Sequence, residues 1–157
     1  MKIQYLGTAA AEGWPGLYCN CDVCKEAARR GGKDLRTRSQ AVIDGHLLVD
    51  FPPDTYLHML YHGLRLPEVS SILLTHAHQD HFYPLDLTMR GHGFSDDVNG
   101  CLTVYGDETG EKLFHQDVDA CDKRWGLAEL LAYKVIPEFV PFEVEGYTVT
   151  PLLASHD

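Results

Sequence analysis

The stretch Thr75-His76-Ala77-His78-Gln79-Asp80-His81 sets four metal-ligand side chains, His76, His78, Asp80 and His81, within six residues. Imidazole nitrogens and a carboxylate oxygen form the donor set that a divalent ion of zinc type binds well. The run before them, Ile72-Leu73-Leu74, is short and apolar and reads as a buried strand ending where the ligands begin. A loop at the end of a strand is where layered α/β folds place their sites. In an extended segment residues two apart point the same way, so His76 and His78 could share one ion. Asp80 and His81 fall where the chain turns toward 82–90 and could hold a second. Two ions about 3.5–4 Å apart can hold a hydroxide between them and clamp a phosphoester or acyl oxygen.

A second chemical group is Cys19-Asn20-Cys21-Asp22-Val23-Cys24. The chain has five cysteines, an odd count, and no export signal, which argues against a disulfide framework. Clustered thiols suggest a structural zinc, which wants four ligands in a closed tetrahedron and so needs one more from elsewhere. The alternative is three buried or reactive cysteines beside a helix start. Cys101 and Cys121 read as plain thiols.

Behind these groups stands a chain of 157 residues, 45% hydrophobic and 23% charged, which predicts one globular domain over 1–157. Its net charge of −10 argues against a general nucleic-acid binder. No apolar run approaches the ~18 residues of a membrane span, and the N-terminus lacks a signal-peptide core, so a cytoplasmic location is expected.

The patterning predicts a strand over 2–7 and a helix over 23–30, with Asp22 as N-cap and Gly31-Gly32 as stop. Hairpins are predicted at Asp44-Gly45 and Glu145-Gly146. A short helix over 54–62 carries Tyr56, Leu57, Leu60 and Tyr61 at apolar spacing, which leaves His58 and His62 as surface residues. Further expectations are a helical segment over 82–90, a strand over 102–105, helices over 108–116 and 124–131, and a last strand over roughly 147–153. Hairpins first and strand–helix alternation later suggest mixed α/β layers. His92 is a further candidate for a proton donor.

The pattern H-x-H-x-D-H after an apolar strand resembles the signature of the metallo-β-lactamase superfamily. Taken with Leu6-Gly7-Thr8-Ala9-Ala10-Ala11-Glu12-Gly13-Trp14-Pro15, the cysteine triplet and the strand ending in Asp50, it resembles the branch that includes the cyclic-phosphate phosphodiesterase of bacterial phosphonate breakdown. The resemblance implies an α/β fold, the N-terminal half of an αββα sandwich with a mixed sheet and flanking helices. It implies that His76 and His78 are ligands of a first ion, with His156 as its third histidine, and that Asp80 and His81 are catalytic ligands of a second. Asp50 then supports those ligands from behind, as imidazole ligands require. Cys19, Cys21 and Cys24, in a zinc loop at about 13–30, would hold a structural zinc together with a distant histidine.

The implied function is a metal-dependent hydrolase, first of all a phosphodiesterase working through a hydroxide on two divalent ions, with zinc favoured and manganese or iron as options. The alternatives are a lactone, thioester or β-lactam hydrolase of the same fold, or a non-catalytic zinc-binding fragment. The substrate expected is a small phosphodiester or ester, with no membrane and no nucleic acid as partner. The family fold has two similar halves, and the bridging Asp, the last His of the second ion and the usual catalytic His have no candidates after Asp157. The sequence is therefore expected to be the N-terminal portion of a longer enzyme, and to self-associate or to meet a missing C-terminal half.

Overall fold

The computed structural model describes residues 1–154, so His156 lies outside the described residues. A six-stranded mixed sheet forms from β1 (Ile3–Gly7), β2 (Gln40–Ile43), β3 (Leu47–Val49), β4 (Ser71–Leu73), β5 (Leu102–Gly106) and β6 (Leu131–Val135), in that spatial order. The pairs β1–β2 and β2–β3 are antiparallel, and the pairs β3–β4, β4–β5 and β5–β6 are parallel. A separate hairpin, β7 (Phe142–Val144) and β8 (Tyr147–Val149), follows. This is the mixed α/β architecture that the patterning predicts.

Both hairpin expectations hold, for one reason. Asp44 (φ 47°) with Gly45 (φ 84°), and Glu145 (φ 51°) with Gly146 (φ 79°), each put two successive residues at positive φ, as the turn that matches strand twist demands. Helix α1 (Asp22–Arg30) has Cys21 as its N-cap, the Sγ accepting from the Cys24 N–H, so Asp22 is the first helical residue and not the cap. Helix α2 (Thr55–His62) ends at Gly63 in the left-handed region. The segment after the histidine loop coils as a 3-10 helix, Pro84–Arg90.

Two boundaries differ from the expectation. Helix α3 (Glu108–Trp125) is one element of 18 residues, opened by Asp107 accepting from the Gly110 N–H and closed by left-handed Gly126. The predicted helix over 124–131 does not exist. Gly126 stops α3, and Leu131-Ala132-Tyr133-Lys134-Val135 pairs with the whole of β5 as the sixth strand. The last strand stops at Val149, short of 153.

Strand register sorts the sheet into two faces. Val42, Leu48, Ile72, Val104 and Tyr133 lie side by side under the helices, and all but Tyr133 are buried. Phe51, Phe82, Leu87, Phe114, Val118 and Leu127 close this core from above. The opposite face carries Ile3, Tyr5, Ile43, Leu73 and Tyr105. The β7–β8 hairpin lies against part of it: Phe142 stacks on Tyr105 at 5.4 Å, and Glu145 accepts from both Ser70 and Ser71 at 2.6 Å. Ile3 and Tyr5, at the β1 edge, stay 45% and 74% exposed. Among the described residues no helix is long and apolar enough to cross a membrane.

Candidate metal centre

β3 and β4 are parallel neighbours, so their C-terminal ends emerge on the same edge of the sheet. Asp50 follows β3 and the histidine loop follows β4. A one-turn reversal shapes that loop: the His81 and Phe82 N–H groups both donate to the His78 carbonyl, at 2.9 and 2.8 Å. The loop is thus folded back instead of extended. It brings the His76 ring within 4.7 Å of His78 and 4.1 Å of His81, centroid to centroid. The His76 ring thus approaches both His78 and His81, by the reversal at His78 and not by the alternation of an extended segment.

Asp50 accounts for much of this order. It is 2% exposed and sits at φ 66°, a left-handed conformation that Asp tolerates better than most residues. Its Oδ1 accepts from the Thr75 N–H and hydroxyl, each at 2.8 Å. Its Oδ2 faces His81 Nδ1 at 2.7 Å. With the proton on Nδ1, donated to the carboxylate, His81 presents its Nε2 lone pair, which lies 3.4 Å from Asp80 Oδ2. Three imidazoles, a neighbouring carboxylate and a buried carboxylate fixing one ring are a donor set that fits a divalent ion of zinc type. The fit is one of donor chemistry in His76, His78, Asp80 and His81, since among the described residues it is the cysteine loop that brings three ligand atoms within 4.8 Å of one another; His156 lies outside the described residues.

The sequence reading missed a layer beneath Asp50. His58, expected on the surface, is fully buried, with its Nδ1 2.6 Å from Gln40 Oε1 and its Nε2 2.7 Å from Thr37 Oγ1. The Gln40 amide in turn donates to the Asp50 carbonyl at 2.9 Å and to Thr55 Oγ1 at 3.0 Å. Helix α2 is therefore turned against its apolar stripe: Tyr56, Leu57, Leu60 and Tyr61 are exposed, and Thr55 and His58 face inward. The one available signal was Gln40 itself, a polar residue opening the apolar run Gln40-Ala41-Val42-Ile43. His62 is exposed as expected. His92 is exposed too, its backbone N–H bonded to the Trp125 carbonyl behind α3.

The cysteine loop forms the second candidate. The donor sulfurs of Cys19, Cys21 and Cys24 all lie within 4.8 Å of one another, with Cys19 and Cys21 3.4 Å apart, so they are placed to hold a metal ion. The Cys21 thiol is lowered to about 7, chiefly by the Cys24 backbone N–H and then by the Cys19 thiol, which favours the thiolate that metals take.

Comparison with known proteins identifies the fold. Zinc-bound PqqB from Methylobacterium extorquens superposes with a TM-score of 0.73 at 23% identity, over 94% of this chain and 54% of that one. A diphosphatase of the PhnP family superposes with a TM-score of 0.69 at 22% identity, over 93% and 54%. The chain has the metallo-β-lactamase fold. The chain spans about half the length of these two structures. An octanoyltransferase of Porphyromonas gingivalis is 33% identical over 167 residues, 99% of this chain and 31% of that protein. No family model matches the sequence.

Proposed function

We propose that this chain carries the metal-binding half of a metal-dependent hydrolase of the metallo-β-lactamase fold, acting on a phosphodiester. The observation that carries the reading is the approach of the His76 ring to both His78 and His81, with His81 oriented by buried Asp50. His76 and His78, with His156 from the tail, would hold a first divalent ion, and Asp80 with His81 a second. Such ions, zinc or else manganese or iron, activate water and take up charge on the oxygens of the reacting centre. The chain's own residues orient and hold: Asp50 keeps the proton of His81 on Nδ1, Thr75 ties the start of the loop to Asp50, and the turn at His78 draws the rings together. Cys19, Cys21 and Cys24 would hold a separate structural zinc.

A second reading, an acyl ester or thioester hydrolase, is favoured by the likeness to the P. gingivalis octanoyltransferase, whose name places it in acyl chemistry. Assays of the zinc-loaded chain on a bis-aryl phosphate and on an octanoyl thioester separate the two. Faster hydrolysis of the phosphate, lost on chelation, is the expected result. Faster hydrolysis of the thioester selects the second reading. Turnover of neither, with zinc bound, leaves a metal-binding fragment that needs a partner half for any catalysis.

We propose further that the chain self-associates. Tyr5, Tyr56, Leu57, Leu60 and Tyr61 are all exposed, and Tyr5, Leu57 and Tyr61 line a groove of about 1010 Å³ with Leu35 and Trp14. Apolar surface gathered in this way favours association. Light scattering at micromolar concentration is expected to give a mass at least twice the 17.6 kDa of one chain, and a monodisperse monomer refutes the proposal.

A further inference from the structure

Polar side chains inside an apolar core are retained only where every hydrogen bond is made, because an unmet one is costly. Gln40, Thr55 and His58 are each no more than 1% exposed, and they form a chain of such bonds with one end at Asp50. Donor and acceptor counting assigns it. The Gln40 amide donates to the Asp50 carbonyl and to Thr55 Oγ1, so its Oε1 must accept from His58 Nδ1–H. A neutral His58 then offers Nε2 to the Thr37 hydroxyl, 2.7 Å away, which lies farther, 3.5 Å, from its other acceptor, the Leu6 carbonyl. Thr55, for its part, donates to the Pro52 carbonyl at 2.7 Å. Two carbonyls of the turn that holds Asp50 at positive φ, those of Asp50 and Pro52, are thus caught by one buried network.

We propose that Gln40, held in orientation by His58, is a positioning residue that fixes the Asp50 turn and, through the Asp50 carboxylate, the His81 imidazole and the start of the histidine loop. The inference about His81 as a ligand rests on the metal reading above; the inference about the turn does not. Backbone N–H groups report on the turn without any metal. Thr75 N–H donates to Asp50 Oδ1, and Phe51 N–H donates to the His81 carbonyl at 2.7 Å. Val104, buried in β5 between β4 and β6, reports on the fold as a whole.

The test compares the full 157-residue chain with its Gln40→Met and Thr55→Val variants by native-state amide exchange without metal, and by cobalt(II) titration. A residue that merely fills the core speeds exchange at all three amides alike. A positioning residue is expected to speed Thr75 and Phe51 about ten-fold more than Val104. It is also expected to weaken cobalt at the histidine loop roughly ten-fold, with the thiolate–cobalt charge-transfer band of the cysteine loop unchanged. Equal changes at the three amides overturn the proposal. If Gln40→Met does not fold, Thr55→Val, nearly the same shape, carries the same readout in the same direction. If the parent chain takes up cobalt only at its thiols, the metal reading of the histidine loop falls, and the amide comparison still decides the role of Gln40.

Discussion

Replacing Asp50 by alanine is expected to destabilise the metal-free chain by about 4 kcal/mol and to weaken zinc at the histidine loop roughly 10–100-fold. The carboxylate is 2% exposed and accepts from the Thr75 N–H, the Thr75 hydroxyl and His81 Nδ1. Alanine leaves all three donors without it, and a buried unmet donor costs about 1–3 kcal/mol. A further ~1 kcal/mol arises because alanine resists the left-handed backbone at this position, φ 66°. Asparagine separates the contributions. It accepts the same backbone conformation and keeps one acceptor oxygen, so Asp50→Asn is expected to lose about half as much stability. Its amide would present N–H where His81 needs an acceptor, so zinc affinity should fall nearly as far as in the alanine variant. Urea unfolding with chelator present, followed by zinc competition against a chromophoric chelator, checks both. An alanine variant within ~1 kcal/mol of the parent would mean that Asp50 does not organise the loop.

How much of this was legible beforehand depends on the range of the forces involved. The histidine loop could be read because its four candidate ligand residues lie within six positions and follow an apolar strand, Ser71–Leu73. The two hairpins could be read because Asp-Gly and Glu-Gly meet a local backbone demand. The approach of His81 to His76 could not, since it depends on a turn at His78 and on a carboxylate 31 residues away. Helix α2 misled for a related reason. Its apolar spacing is real, but the inward face is chosen by the partner network at Gln40 and Thr37, and the apolar side chains are left to solvent. The strand Leu131–Val135 was hidden because α3 looks equally helical past Gln116, and only the left-handed Gly126 separates the two elements.

The buried histidine also makes the fold acid-sensitive in a predictable direction. Burial pushes His58 from its ordinary 6.5 down to about 4; the Asp54 charge pulls it upward and His62 pushes it down. Asp54 is itself engaged by Arg38 at 3.0 Å, which blunts its pull. A histidine lowered in the folded state binds its proton more readily when unfolded. Its contribution to stability is therefore whole above pH ~6.5 and is lost as pH falls through that value toward 4. At ~1.4 kcal/mol per unit, the parent chain should lose about 2 kcal/mol between pH 7.5 and 5 from this group alone. Asp44 and Glu145, whose carboxyls are held below their ordinary range by hydrogen bonds from Tyr147 and from Ser70 with Ser71, contribute only at lower pH. His58→Gln, which cannot charge, isolates the effect. The variant is expected to be less stable than the parent at pH 7.5, because it fits the Thr37–Gln40 network less well. The gap between the two urea midpoints should then narrow steadily as the pH is lowered to 5. Parallel pH dependences for parent and variant would show that His58 takes up its proton in the folded chain as freely as in the unfolded one.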